Sequence, residues 1–168
     1  MSKVFTDKDT GYKSLMTSFK TRKGESAAFV GYLRSSGNHK PKPDEKTPAE
    51  PITMAALAAV MEYGTKNGRI PARPFFFTTL KRIGRELEKK TKKAALLVLG
   101  GRLDEKTAIM ALAQWVKQQI AHTIASNIPP PNKPYTIAHK GGKDHTLIDT
   151  GQLQDTLDIE YRQGVKKK

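Results

Sequence analysis

Cysteine is absent from all 168 residues. A disulfide framework, a thiolate metal site and a cysteine nucleophile are therefore excluded, and a reducing compartment is consistent with that usage. No run of eighteen apolar residues occurs, so no membrane-spanning helix is expected. The opening MSKVFTDKDTGYKS lacks the apolar segment of a secretory signal. Aromatic residues make up only 7%, too few for a sheet of base-stacking rings. Acidic residues are also scarce: sixteen stand against thirty Lys and Arg, giving a net charge of +14. That excess favours polyanionic partners such as nucleic acid, an acidic protein surface or lipid headgroups, without choosing among them. The length suits one domain able to bury an apolar core without staples.

What is present divides into a terminal arm (1–26), a domain (27–162) and a basic tail (163–168). The arm is polar, with basic residues at Lys20, Arg22 and Lys23 and a short element expected around Tyr12 to Phe19. SAAFVGYLRSS reads as a strand centred on Phe29 to Leu33. Residues 37–51 hold four prolines and form an exposed loop. A helix is expected over 52–64, with Thr53 as N-cap, Gly64 as C-cap and Leu57, Val60 and Met61 as its stripe. Its alanines at 55, 56, 58 and 59 invite a close neighbour. A second helix starts at Pro74, with Phe76, Leu80, Ile83 and Leu87 at helical spacing, and stops at Gly100 and Gly101. A third runs from Asp104 to Ser126 with Ile109, Leu112, Val116, Ile120 and Ile124 inward. After NIPPPNKP come a turn and a strand over Thr156 to Arg162, where TLDIEYR alternates apolar and polar. The expected fold class is α+β: a small antiparallel sheet packed by about three helices, with a long proline-rich loop and extended termini.

Catalytic constellations are missing. His122 has no ligand partner at i+4, and His139 and His145 sit with Asp144 and Asp149 in a polar loop that is more ordinary than metal-binding. Leu147 to Gly151, LIDTG, has the outline of an aspartic-protease motif, but only seventeen residues follow it, too few for the supporting framework. The plainer expectation is that Asp149 or Thr150 caps a turn and Gly151 supplies backbone freedom. There is no glycine-rich phosphate loop and no hydroxyl set beside a base, so neither enzyme activity nor a cofactor is expected. Between Arg73 and Lys93 eight residues are basic and two acidic. Lys89, Lys90, Lys92 and Lys93 are candidate contacts for phosphate or an acidic partner; the ordinary alternative is a solvated helix face. No helix-turn-helix is evident, so sequence-specific readout of DNA is not expected.

Two blocks carry more. Glu62-Tyr63-Gly64-Thr65, a short polar loop, and Ile70-Pro71-Ala72-Arg73-Pro74-Phe75 form the first. Thr136, Lys140 and Leu147-Ile148-Asp149-Thr150-Gly151-Gln152-Leu153 form the second. Together they resemble, in order and over roughly a third of the chain, the neck and tail-completion (head–tail joining) proteins of long-tailed bacteriophages, of the minor tail protein Z type. The resemblance implies a non-enzymatic virion protein, assembled in the host bacterial cytoplasm and placed at the head–tail neck. It implies a homo-oligomeric, sixfold ring that contacts head adaptor or stopper proteins and tail tube or terminator proteins, with genomic DNA passing through and no membrane involved. Alternatives are a tail terminator capping the tube and a non-specific basic nucleic-acid-binding protein. The proline-rich loop and the long arm depart from the pattern, and the charge exceeds what a DNA-conducting lumen invites.

In the first block, Pro71 and Pro74 stiffen the connection between two helices and hold Arg73 so that its planar fork can meet a carboxylate, of Glu62 or of a neighbouring subunit. Phe75, Phe76 and Phe77 cannot all face one core, since successive helical positions point about 100° apart. Candidate subunit or partner contacts are therefore Glu62, Tyr63, Arg73, Phe75, Phe76 and Phe77, with Asp149, Thr150 and Leu153 from the second block. A wholly intramolecular corner is the competing reading.

Overall fold

The computed structural model describes residues 25–41 and 51–165. The element expected around Tyr12 to Phe19, the basic cluster at 20–23, the interior of the proline-rich loop (42–50) and the final three lysines lie outside the described residues. The fold is α+β, with two antiparallel strands and five helices among the described residues. In order these are β1 (Glu25–Gly31), α1 (Met54–Tyr63), α2 (Phe75–Leu99), α3 (Glu105–Ala125), α4 (Pro134–His139), α5 (Gln152–Asp155) and β2 (Asp158–Val165), with a 3-10 turn at Arg34–Ser36. The short helix α4 adds to the three long ones read from periodicity, and α5 falls in the turn expected before the last strand.

The ends of the chain's described part meet in the sheet. Phe29 faces Glu160 and Gly31 faces Asp158, and the register shifts between Glu25 and Ala27. The strands thus pass the expected borders at 27 and 162. β1 ends earlier than its apolar run because β2 offers no partner beyond Asp158. Tyr32 and Leu33 instead turn inward: the Tyr32 hydroxyl donates to the Leu153 carbonyl, and Leu33 N–H donates to Ser36 Oγ. Burial pushes the Tyr32 phenol well above its ordinary value. The base of the proline-rich loop is closed by main-chain bonds, His39 N–H to Ile52 C=O (2.7 Å) and Met54 N–H to Gly37 C=O (3.0 Å).

Helix starts follow local chemistry. Thr53 accepts from Ala56 N–H (3.1 Å) and Asp104 from Thr107 N–H (3.0 Å). The α2–α3 connection closes through Gly101, which takes φ +67° and lets Arg102 N–H reach the Leu97 carbonyl. α3 is the central element: it contacts α2 and both strands. The core gathers Met54, Phe75, Ile120, Ile124, Leu153 and Leu157 around it.

The buried faces differ from the apolar stripes. On α2 the buried positions are Phe75, Thr79 and Ile83, while Leu80 is 49% exposed. The helix is anchored with Phe75 fully inside, which turns the expected stripe by one residue. Thr79 enters the core because its hydroxyl is satisfied twice, donating to Phe75 C=O and meeting Thr123 Oγ1, each at 2.7 Å. On α3, Ala108, Ala113 and Thr123 join Ile120 and Ile124 inside, and Ile109, Leu112 and Val116 are half-buried. On α1 only Ala58 of the four alanines is buried, beside Met54 and Glu62.

Candidate functional site

The loop between α1 and α2 is built around Gly64. It has φ +73°, and a Cβ there would lie 2.8 Å from Ala72 N and 2.9 Å from Ile70 O. Only glycine fits, because the returning chain is laid against its backbone. Thr65 ties the turn: its hydroxyl donates to Asn67 Oδ1 (2.8 Å) and accepts from Ile70 N–H (3.0 Å). The loop then returns to the helix it left, with Arg73 N–H on the Met61 carbonyl at 2.8 Å.

Glu62 and Arg73 do not pair, so of the two partners expected for Arg73 the one within the chain is not used. Glu62 is buried at the end of α1, and its carboxylate accepts from Phe76 N–H (2.9 Å) and Phe77 N–H (3.0 Å). It is an N-terminal cap for α2 supplied by the previous helix, favoured by the helix dipole. Pro74, one position before α2, has no side chain able to do this. Arg73 is buried as well, and uses its fork on neutral acceptors: Nε to Pro130 C=O and an Nη to Asn132 Oδ1, both at 3.1 Å. Burial lowers its pKa from the ordinary value.

Through Asn132 the first block reaches the second. Asn132 Nδ2 donates to His145 C=O (3.1 Å), and Thr146 N–H donates to Asn127 Oδ1 (2.8 Å). Lys140, at the end of α4, donates from Nζ to the carbonyls of His145 and Ile148. The lysine and the LIDTG segment are therefore one unit, a cation holding a turn. Gly151 has φ +83° and opens α5, so its backbone freedom is used. The N-cap position of α5 is Gly151 itself, and Thr150 Oγ1 accepts from its neighbour Gln152 Nε2. Asp149 is exposed and engaged in the chain's own contacts. No group of three His, Asp or Glu able to hold a metal occurs among the described residues.

Between the two blocks lies an open cleft of about 520 Å³. Its walls are the Arg69–Arg73 loop, Pro130–Lys133 and Thr146–Leu153, with Leu57 and Met61 of α1 among its apolar lining.

The candidate contact residues fall into three groups. Glu62, Arg73, Phe75 and Leu153 are buried in the chain itself. Phe76 is half-buried and stacks edge-on against Tyr32, with centroids 6.1 Å apart. Tyr63 (81% exposed), Phe77 (64%), Asp149 and Thr150 face outward. The three phenylalanines thus spread across one buried, one half-buried and one exposed position, as helical geometry requires. Of the lysines, Lys92 pairs with Glu88 (2.6 Å), and Lys90 pairs with Glu86 (3.5 Å) and lies over Trp115, 4.9 Å from the ring centre. Lys89 and Lys93 make no ion pair among the described residues. Asn132 and the cleft were missed from sequence; the signal was the asparagine after a triple proline.

No protein-family model matches the chain, and no curated protein or solved structure matches it.

Proposed function

We propose that this chain is a structural virion protein of the phage head–tail neck, acting by assembly into a homo-oligomeric ring and not by catalysis. One observation supports the reading above others. The two sequence blocks that carry the resemblance, far apart in the chain, meet at one corner through Arg73, Asn132 and His145. Four residues of the two blocks have physical jobs there: Glu62 caps, Gly64 admits the chain, Arg73 bridges, Lys140 holds the turn. The rigid corner then presents Tyr63 and Phe77 to solvent, where aromatic side chains suit a subunit contact.

Electron microscopy of particles made by a phage lacking this gene tests the reading. Filled heads beside separate tails of finished length are the expected result. Tails of uncontrolled length would assign a terminator role instead. Normal infectious virions would overturn the neck assignment and bring the basic surface and nucleic acid forward.

A further inference from the structure

We infer that the cleft between the two blocks is a docking site for a short acidic segment of a partner protein, which lays an apolar side chain on its floor and sets carboxylates at its rim. Four cations line the cleft: Arg69, Arg73, Lys133 and Lys140. Two of them are committed to carbonyl or amide oxygens, Arg73 on Pro130 and Asn132, and Lys140 on His145 and Ile148. The exposed side chains of Arg69 and Lys133 make no hydrogen bond or ion pair among the described residues. The one carboxylate in the lining, Asp149, is already engaged within the chain. The rim therefore carries two unanswered positive charges over a floor that includes Leu57, Met61 and Leu147.

Thr146 also lines the cleft; it is 4% exposed, and its hydroxyl oxygen, without a partner among the described residues, is sealed from solvent. The cations and the apolar floor therefore carry the binding chemistry. The apolar floor selects protein over nucleic acid: a phosphate backbone gains from the cations and loses on Leu57 and Met61, whereas a peptide uses both. The segment's origin in a neighbouring virion protein rests on the assembly role proposed above; the cleft's binding chemistry does not. Normal virions in the absence of the gene would leave the binding result standing, and absence of binding would leave the particle experiment standing.

The test is a titration of the isotope-labelled full chain, followed by amide and methyl NMR. The probe is an N-acetylated, C-amidated eight-residue peptide of four glutamates, two leucines and two glycines. Its twin carries glutamine for glutamate. Saturable shifts are expected at Ile70, Thr146 and Leu147. The twin binds about tenfold more weakly or less, and Arg69→Ala and Lys133→Ala each weaken binding about two- to fivefold, the worth of one exposed charge pair. Both altered residues are exposed, and unchanged spectra elsewhere would show that the variants fold. Absence of saturation up to about 5 mM, a millimolar affinity being the weakest such contact worth the name, overturns the inference. So does equal binding of the twin, a response confined to Lys89 and Lys93, or the same shifts produced by random duplex DNA.

Discussion

Replacing Glu62 by alanine should be among the costly single changes at the α1–α2 corner. The carboxylate accepts from two amides of the first turn of α2, Phe76 N–H and Phe77 N–H, at 2.9 and 3.0 Å. Hydrogen bonds to a charged acceptor contribute about 1.5–3 kcal/mol each. The full sum is not reached, because Phe77 is exposed and water can reach its amide once the carboxylate is gone. Loss of an N-terminal cap alone costs about 0.5–2 kcal/mol, and a partly buried anion at a helix start adds up to about 2. The expected loss is therefore about 2–4 kcal/mol, or roughly 5–15 °C in Tm for a chain of this length. Glu62→Gln keeps one oxygen for one amide and turns its NH₂ toward the other, so about half of that loss is expected. Urea unfolding followed by circular dichroism measures both. Tyr63→Ala, next in sequence and 81% exposed, is the control and should move stability by under about 0.5 kcal/mol. A Glu62→Ala protein as stable as its parent would refute the capping role and the account of this corner built on it.

Other substitutions probe separate parts. Gly64→Ala should destabilise by at least about 1–2 kcal/mol from its positive φ alone, and by more from the contacts with Ala72 N and Ile70 O; soluble yield and Tm report it. Gly84→Ala, inside α2 with nothing within 4 Å of the added methyl, should instead stabilise by about 0.5–1 kcal/mol, and an unchanged or lowered Tm would contradict it. Arg73→Lys keeps the charge but cannot span Pro130 and Asn132 together, so a loss of about 1–3 kcal/mol is expected, with amide exchange rising around Thr146. Acid should weaken the fold through three carboxyls held below their ordinary range. Asp104 is lowered chiefly by Thr107 N–H, Asp158 by Ile159 N–H and then Ser35, and Glu160 by Arg162. A depressed folded pKa gives stability that is present above the unfolded value and lost as pH falls through the folded one. The urea midpoint should therefore hold from pH 7 to about 5 and fall below about 4; a midpoint rising on acidification would contradict this.

Helix ends were legible in the sequence because they depend on neighbours a few residues away. Thr53, Asp104, Gly64 and the double glycine at 100–101 each act where local chemistry places them. Buried faces were less legible. Apolar periodicity favours Leu80 over Thr79, yet Thr79 is inside, and the reason is a hydroxyl forty-four residues away. The site was legible as two blocks and not as one place. Nothing near Arg73 in sequence announces Asn132, and Glu62, one of the two carboxylate partners expected for it, is unavailable because the amides of α2 take both of its oxygens. The α4 helix escaped because one turn and a half beginning at Pro134 is too short to show a period.

The meeting of Thr79 and Thr123 has a mechanical meaning. α2 and α3 are 25 and 21 residues long and joined by a short turn, a pairing that apolar contacts alone leave free to slip. A slide of one helical turn, about 5.4 Å, would trade one set of aliphatic contacts for another at little cost. It would also pull the two hydroxyls apart and leave Thr79 facing hydrocarbon, since Thr79 is wholly buried. Together with Arg82, which donates to Gln119 and Thr123 across the same seam, the pair works as a detent between two rods: weak as a glue, but favouring one axial position over the neighbouring ones.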